Sequence, residues 1–539
     1  MSAGAATAEG GFDRAASAAG HHNPWLIAVV VSIATFMEVL DTTIANVALR
    51  YISGGLGVGP DEASWVVTTY LVANAIVLTA SSFLAKLLGR KRFYLGCLAL
   101  FTVSSILCGF AWDLNSLLFF RILQGFAGGG MVPVSQSILA DSFPPAKRPQ
   151  AFALFGVAVV VAPVVGPTLG GWLSDNYSWP WCFLINGPVG LLAASLVWFL
   201  VQEPKDAAKE RAAMRRGGFR FDLVGFLLVA TFLGALEVVL DRGQIEDWFD
   251  SRFIIVFAAI CGLAFVLMIP WELAHENPVV DLRMIGSRQF GSCFIVMMAT
   301  GAILIATTQF LPELLQTYFG YTATWAGLAL SPGGVVTMVM MFVVGRISGV
   351  IQPKYLIAAG GAIIALAMYD LTNLYADLNF GFFAWSRIYI GIGLPLIFIP
   401  ITTASYDGIP KEKTDQASAL INVARNVGGS MGVSLAQNVL AHREQFHQSR
   451  LVEHVVPSSP AYQETLRRAT DLFATRGGTT IDAQGQAVAW IGQQVQTQAG
   501  LWAYIDVFHT LMWVSAAAVP LALILRNVKL GGGPPAGGH

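Results

Sequence analysis

The chain has 539 residues, 55% of them hydrophobic and only 12% charged, and its 32 basic side chains balance 33 acidic ones to a formal net charge of −1. Together with a mean hydropathy of +0.61, this excludes a soluble globular protein, gives no basic surface for nucleic acid, and requires a lipid environment. The five cysteines, Cys97, Cys108, Cys182, Cys261 and Cys293, all fall within or at the ends of apolar stretches. They read as packing thiols, and no disulfide or metal set is expected.

The polar opening, 1–24, lacks the basic start and cleavable apolar core of a signal peptide and reads as a tail. After it come fourteen apolar stretches, each long enough to cross a hydrocarbon core of roughly 30 Å. They run over 25–49, 64–85, 93–112, 115–140, 150–173, 181–201, 222–241, 252–272, 289–315, 323–348, 355–375, 381–406, 415–441 and 503–526. The expected fold class is therefore an all-α polytopic membrane protein with 14 transmembrane helices.

The first stretch holds Glu38 and Asp41. An ionisable group in mid-membrane costs roughly 2.5–3.5 kcal/mol, so it normally faces a cavity, a partner or a proton path. A spacing of three puts both carboxyls on one helical face, where energy coupling is expected. The fourth stretch carries Arg121-Ile122-Leu123-Gln124-Gly125 and the twelfth Arg387-Ile388-Tyr389-Ile390-Gly391. Read as a repeat, these runs divide the chain into two six-helix halves, 25–201 and 289–526, the arrangement of a secondary transporter with its site between them. Residues 222–272 then form an inserted two-helix hairpin, 202–221 a linker and 527–539 a tail. Chance similarity is the competing reading of the repeat.

The fifth stretch contains Pro163, Gly166, Pro167, Gly170 and Gly171. Such a helix either packs through small residues or flexes beside a transport path. Gly89, Arg90 and Lys91 follow the second stretch and read as a topology signal or a gate. Arg425, followed by Asn426, either faces a cavity or snorkels to an interface. Glu237 and Asp370 stay ambiguous between buried and headgroup positions. Basic residues concentrate in loops after even-numbered stretches, among them Lys147, Arg148, the 205–220 segment, Arg283, Arg288, Lys354, Lys411 and Lys413. The positive-inside rule places those loops and both termini in the cytoplasm. On the opposite side lies a segment of about sixty polar residues, 442–501, too long for its arginines to set topology. Within it, 487–504 alternates at helical spacing and predicts an amphipathic helix. No phosphate loop or His/Cys ligand set is present, so an enzyme is not expected.

Several runs resemble the major facilitator superfamily, in particular its fourteen-span drug:proton antiporters. They are Leu40-Asp41-Thr42-Thr43-Ile44-Ala45-Asn46-Val47-Ala48-Leu49, then Arg121 with Gln124 and Gly125, and Ala162-Pro163-Val164-Val165-Gly166-Pro167-Thr168-Leu169-Gly170-Gly171. Further matches are Phe183-Leu184-Ile185-Asn186, Asp241-Arg242-Gly243, Pro278-Val279-Val280-Asp281-Leu282 and the run from Gly320 through Leu328. The likeness covers about 25–526. Ser82 and Lys86 depart from the family's usual glycine and aspartate, Arg50 from a frequent proline, and Glu38 is an acid that many members lack.

The resemblance implies a major facilitator fold in which Asp41, Glu38 and Arg121 couple protons and the proline- and glycine-rich fifth helix gates. Asn46, Gln124, Arg425 and Asn426 become substrate-cavity candidates. It implies no cofactor, the proton gradient driving export of hydrophobic and amphipathic drugs by alternating access. It further implies a bacterial inner-membrane location, with an EmrA-like periplasmic adaptor and a TolC-like outer-membrane channel as partners. A proton symporter or exporter for one organic acid or metabolite is the alternative, and a channel would not need paired charges.

Overall fold

Asn23 opens the first helix: its side chain accepts the Trp25 amide at 3.0 Å, and Pro24 occupies a first-turn position where no amide hydrogen is needed. The computed structural model describes residues 23–144, 147–201, 222–275, 278–375, 378–410, 413–475 and 480–527. The predicted tails 1–22 and 528–539, the linker 202–221 and Lys411 lie outside these residues.

Nearly all the described chain is helical: α1 Pro24–Leu56, α2 Pro60–Leu88, α3 Arg90–Gly109, α4 Leu114–Ser142, α5 Arg148–Asn176, α6 Asn186–Leu200, α7 Leu223–Arg242 and α8 Arg252–Ala274. There follow α9 Arg288–Tyr318, α10 Ala323–Ile347, α11 Pro353–Asp370, α12 Phe380–Ala404, α13 Thr414–His454, α14 Pro460–Ala474 and α15 Thr480–Leu523. Helices satisfy their backbone internally, which lipid demands. Among the described residues twelve helices are long and apolar enough to cross a membrane. The fourteen predicted stretches exceed these by α11 and α13. The first has only 18 residues, with Lys354 and Asp370 near its ends, and the second carries Asn422, Arg425, Asn426 and Gln437.

The halves repeat the same contacts in the same order. In the first, α1 packs on α5, α2 on α4, and α3 on α4 and α6; in the second, α9 packs on α13, α10 on α12, and α11 on α12 and α15. Between the halves, α5 meets α10 as α13 meets α2. These are reciprocal contacts about a pseudo-two-fold axis, as an internal repeat requires. Small residues bring the helices together. A Cβ added at Gly166 or Gly170 of α5 would run into Thr43 or Ile44 of α1, and one at Gly428 or Gly432 of α13 would run into Met298 or Ala302 of α9. The α7–α8 hairpin lies outside this symmetry, with α7 against α2 and α13.

The segment 442–501 departs from the expected polar loop with a separate helix at 487–504. Helix α13 continues to His454 for 41 residues and α15 begins at Thr480 and runs for 44, so at 1.5 Å per residue each is roughly twice as long as the hydrocarbon is thick. The predicted amphipathic helix is the first part of α15, continuous with the last span. Leaving lipid changes which side chains are favoured and not the backbone's preference, and no proline falls within 442–454 or 480–502. His447 and Arg443 of α13 reach Asp506 of α15 at 2.8 and 3.3 Å, and α14 packs along α15, so the three helices form a stalk.

Candidate functional site

Asp41 sits at 1% exposure in the middle of α1. Its Oδ2 accepts Arg121 Nη1 of α4 at 2.7 Å, and its Oδ1 accepts Gln124 Nε2 at 2.9 Å and Asn186 Nδ2 of α6 at 2.6 Å. Arg121, fully buried, also donates from Nε to the Val66 carbonyl at 3.0 Å and from Nη1 to Gln124 Oε1 at 2.8 Å, while its guanidinium lies over the Tyr70 ring at 4.3 Å. Burying two charges is tolerable only with this density of donors and acceptors, and removing one partner of such a pair typically costs about 3–5 kcal/mol. The network therefore holds α1, α4 and α6 together through one carboxylate.

Glu38, one turn earlier, belongs to a different cluster. Its Oε1 accepts the Tyr70 hydroxyl at 3.0 Å and Asn74 Nδ2 at 3.2 Å, both from α2, and its buried Oε2 has no hydrogen-bond partner among the described residues. Gly128 of α4 leaves the room for this cluster, since a Cβ there would press on Tyr70 Oη and Asn74 Nδ2. Tyr70 links the two acids, with its ring under Arg121 and its hydroxyl on Glu38.

Glu38 faces a cavity of about 250 Å³ between the halves. Asn46 of α1, Pro163 of α5, Leu304 of α9, Arg425 and Asn426 of α13, and Glu237 of α7 also line it. Asn426 Nδ2 reaches Asn74 Oδ1 across the half boundary at 3.4 Å, and Arg425 donates to Asn426 Oδ1 at 3.1 Å, with Nη1 making no hydrogen bond among the described residues. The lining runs toward the stalk end through Leu49, Ser64, Ile245 and Gln437. The other end is tied across the halves. Arg90 pairs with Asp141 of α4 and, at 3.0 Å, with Asp415 of α13; Asn422 donates to Gln136 at 2.7 Å and Ser137 to Ser418 at 3.2 Å.

The Major Facilitator Superfamily profile matches residues 31–433. The chain belongs to this superfamily. It is 36% identical over 518 residues to the Multidrug export protein EmrB of Escherichia coli (strain K12), covering 95% of this chain and 96% of that one. To the Fatty acid resistance protein FarB of Neisseria gonorrhoeae it is 38% identical over 465 residues, covering 85% and 90%. Among solved structures, the proton:xylose symporter XylE superposes with a TM-score of 0.57 at 13% identity over 92% of this chain and 96% of that one, a likeness of fold.

Within this superfamily member the sequence candidates separate into places. Asp41 and Arg121 form one ion pair; Glu38 stands apart from it on the cavity wall. Asn46, Arg425 and Asn426 line the cavity, but Gln124, expected there, is at 0% exposure and turned into the Asp41 network, because its amide completes the carboxylate's shell. In α5, Pro163 lines the cavity, Gly166 and Gly170 meet α1 within a turn of Asp41, and Pro167 and Gly171 are buried. Gly89 takes φ +92 between α2 and α3, a backbone that favours glycine, and aims Arg90 at its two aspartates. Lys91 points elsewhere and donates to the Trp198 carbonyl at 2.7 Å. Asp370 accepts Ser386 Oγ at 3.0 Å, away from the cavity. Tyr70, Asn74 and the cavity position of Glu237 were not singled out from sequence. Asn186 was legible only as the last residue of the Phe183 run.

Proposed function

We propose that the chain is a proton-driven exporter of hydrophobic and amphipathic toxic compounds, working by alternating access as the bacterial inner-membrane part of a tripartite efflux system. The observation that carries this reading is the Asp41–Arg121 pair, fully buried and held by neutral donors one turn from a cavity between two pseudo-symmetric halves. The names of its relatives, a multidrug export protein and a fatty acid resistance protein, support export as the direction.

With the Arg90 end tied and the cavity running toward the stalk, the conformation corresponds to the outward-facing state of such a cycle. A proton reaching Asp41 Oδ2 removes the charge that holds Arg121 Nη1, and α1 is then free to shift against α4 and α6. Helix α5, touching α1 through Gly166 and Gly170 and α10 through Thr168 and Gly327, carries that shift to the other half. Both termini lie in the cytoplasm and no cofactor takes part. The stalk, 442–501, then projects into the periplasm, where it meets an EmrA-like adaptor leading to a TolC-like channel.

The deciding experiment is transport in sealed proteoliposomes under an imposed pH gradient. Drug moving against the proton flow supports an antiporter; drug moving with it supports a symporter for a metabolite or organic acid. For the partner, deletion of 455–479 is expected to abolish co-purification with the adaptor, and undiminished complex formation removes the stalk from that role.

A further inference from the structure

We propose that Glu237, on the inserted α7–α8 hairpin, is a specificity-determining residue that selects cationic over anionic substrates, resting on the export reading above. Three observations carry it. First, Glu237 is 4% exposed yet lines the cavity, and its Oε1 accepts Ser430 Oγ of α13 at 2.6 Å. Second, among the described residues it makes no ion pair, and that hydroxyl is its one hydrogen-bond partner. A carboxylate held by one hydroxyl in an apolar wall of Leu233, Leu240 and Val433 keeps most of its capacity to accept hydrogen bonds or meet a cation. Third, among the described residues acidic side chains outnumber basic ones on the cavity wall: Glu38, Glu237 and Asp241 stand against Arg425.

The geometry separates Glu237 from the coupling machinery. Asp41 is held by Arg121, Gln124 and Asn186 away from the cavity lining, whereas Glu38, whose buried Oε2 has no hydrogen-bond partner among the described residues, faces the same space as Glu237. The hairpin is fixed where it presents the acid. Arg242 donates to the Asp61 carbonyl at 2.9 Å and to Ser64, and Thr68 donates to Asp241, so the stalk-side end of α7 is pinned to α2. A helix pair outside the two-fold arrangement thus adds one wall and two acidic side chains, Glu237 and the Thr68-bonded Asp241, to a cavity otherwise built from the two halves. A low-dielectric wall strengthens a charge's preference for its opposite and makes a like charge costly, so a lipophilic anion is disfavoured in the same cavity.

The test uses two ions of one size and shape, tetraphenylphosphonium and tetraphenylborate, titrated against the full-length protein and followed in proteoliposome transport. The wild type is expected to bind and carry the phosphonium and to reject the borate. Glu237→Gln should weaken phosphonium binding roughly tenfold or more and raise its KM with little change in kcat. Glu237→Asp, which keeps the carboxylate, should retain the preference. Where Glu237→Gln does not fold, Ser430→Lys supplies an internal counter-ion to the same carboxylate, and loss of the preference is expected there too. Equal affinity of the wild type for both ions, or an unchanged ratio in Glu237→Gln or Ser430→Lys, overturns the proposal. If the wild type transports neither ion nor any other drug, the export reading fails instead.

Discussion

The two halves share a scaffold but not a charge. In the first half Arg121 of α4 meets Asp41 of α1 at 2.7 Å; in the second, the corresponding Arg387 of α12 meets Thr307 of α9 at 3.2 Å, and its Nε makes no hydrogen bond among the described residues. The run Leu40-Asp41-Thr42-Thr43 is echoed by Ile305-Ala306-Thr307-Thr308, with alanine where the first half has the acid. The ring under the first arginine is missing as well, since a Cβ at Gly125 would touch Tyr70, whereas one at the matching Gly391 would touch Gly333. The duplicated fold therefore supplies two arginine positions, and among the described residues only Arg121 has a carboxylate partner. What the symmetry preserves is packing. What it leaves unequal is electrostatics.

The largest effect that sharpens this contrast is on coupling. Asp41→Asn keeps the shape and the acceptor toward Arg121 but cannot change charge, so uphill transport on a pH gradient is expected to fall at least about a hundredfold while the protein still purifies folded. Transport in proteoliposomes measures it. A near wild-type rate would mean that coupling does not lie in this pair, and Glu38, whose change to Gln is expected to be milder, would replace it.

Stability distinguishes the halves next. Arg121→Met leaves Asp41 buried with its charge unmatched, a loss of about 3–5 kcal/mol, whereas Arg387→Met strands no acid and should cost no more than about 1 kcal/mol or even stabilise. Thermal unfolding of the two purified variants compares them directly. Equal losses would break the comparison by revealing that Arg387 also has a charged partner.

Much of the first-half site was legible because intramembrane charge is rare: Glu38, Asp41 and Arg121 stand out against apolar neighbours. The residues that complete it do not stand out. Tyr70 and Asn74 are neutral, so burying them costs less than burying a charge and any hydrogen bond meets the cost, and Asn186 becomes meaningful only when α6 brings it to Asp41. Glu237 was visible as a charge, but which way α7 faces depends on its packing against α2 and α13, for which its sequence has no counterpart in the repeat. Hydropathy likewise marked where α13 and α15 leave the apolar layer and not where they end, so the stalk was read as a loop.

Packing should respond alike in both halves. Adding a methyl at Gly166 drives α5 into Thr43 beside Asp41, and adding one at Gly432 drives α13 into Ala302. Each alanine variant is expected to lose about 1–3 kcal/mol by overpacking, but only Gly166→Ala should also alter the pH dependence of transport, because only its neighbour helix carries Asp41, the acid proposed to couple. A matching pH shift in Gly432→Ala would contradict the one-sided arrangement.

The smallest expected effect concerns the tied end, where the halves again differ. After α2, Arg90 pairs with Asp141 of its own half and Asp415 of the other; at the matching junction, Arg346 in the last turn of α10 and Lys354 in the first turn of α11 make no ion pair among the described residues. The Arg90 side chain is 22% exposed, so its pairs are partly screened and worth about 1 kcal/mol or less. The tie is nevertheless placed where it counts. Asp415 lies in the first turn of α13, the helix that carries Arg425 and Asn426 into the cavity, so releasing it lets that end swing away from α4. Arg90→Ala should shift the balance toward the state open at this end by only a few-fold, while Arg346→Ala should shift nothing. Thiol labelling of a cysteine placed at Ser137, which faces Ser418 across the closed seam at 3.2 Å, reports the opening. Faster labelling in Arg90→Ala but not in Arg346→Ala is the expected result. Equal acceleration in both would mean that the two loops share the closure and that the asymmetry stops at the proton site.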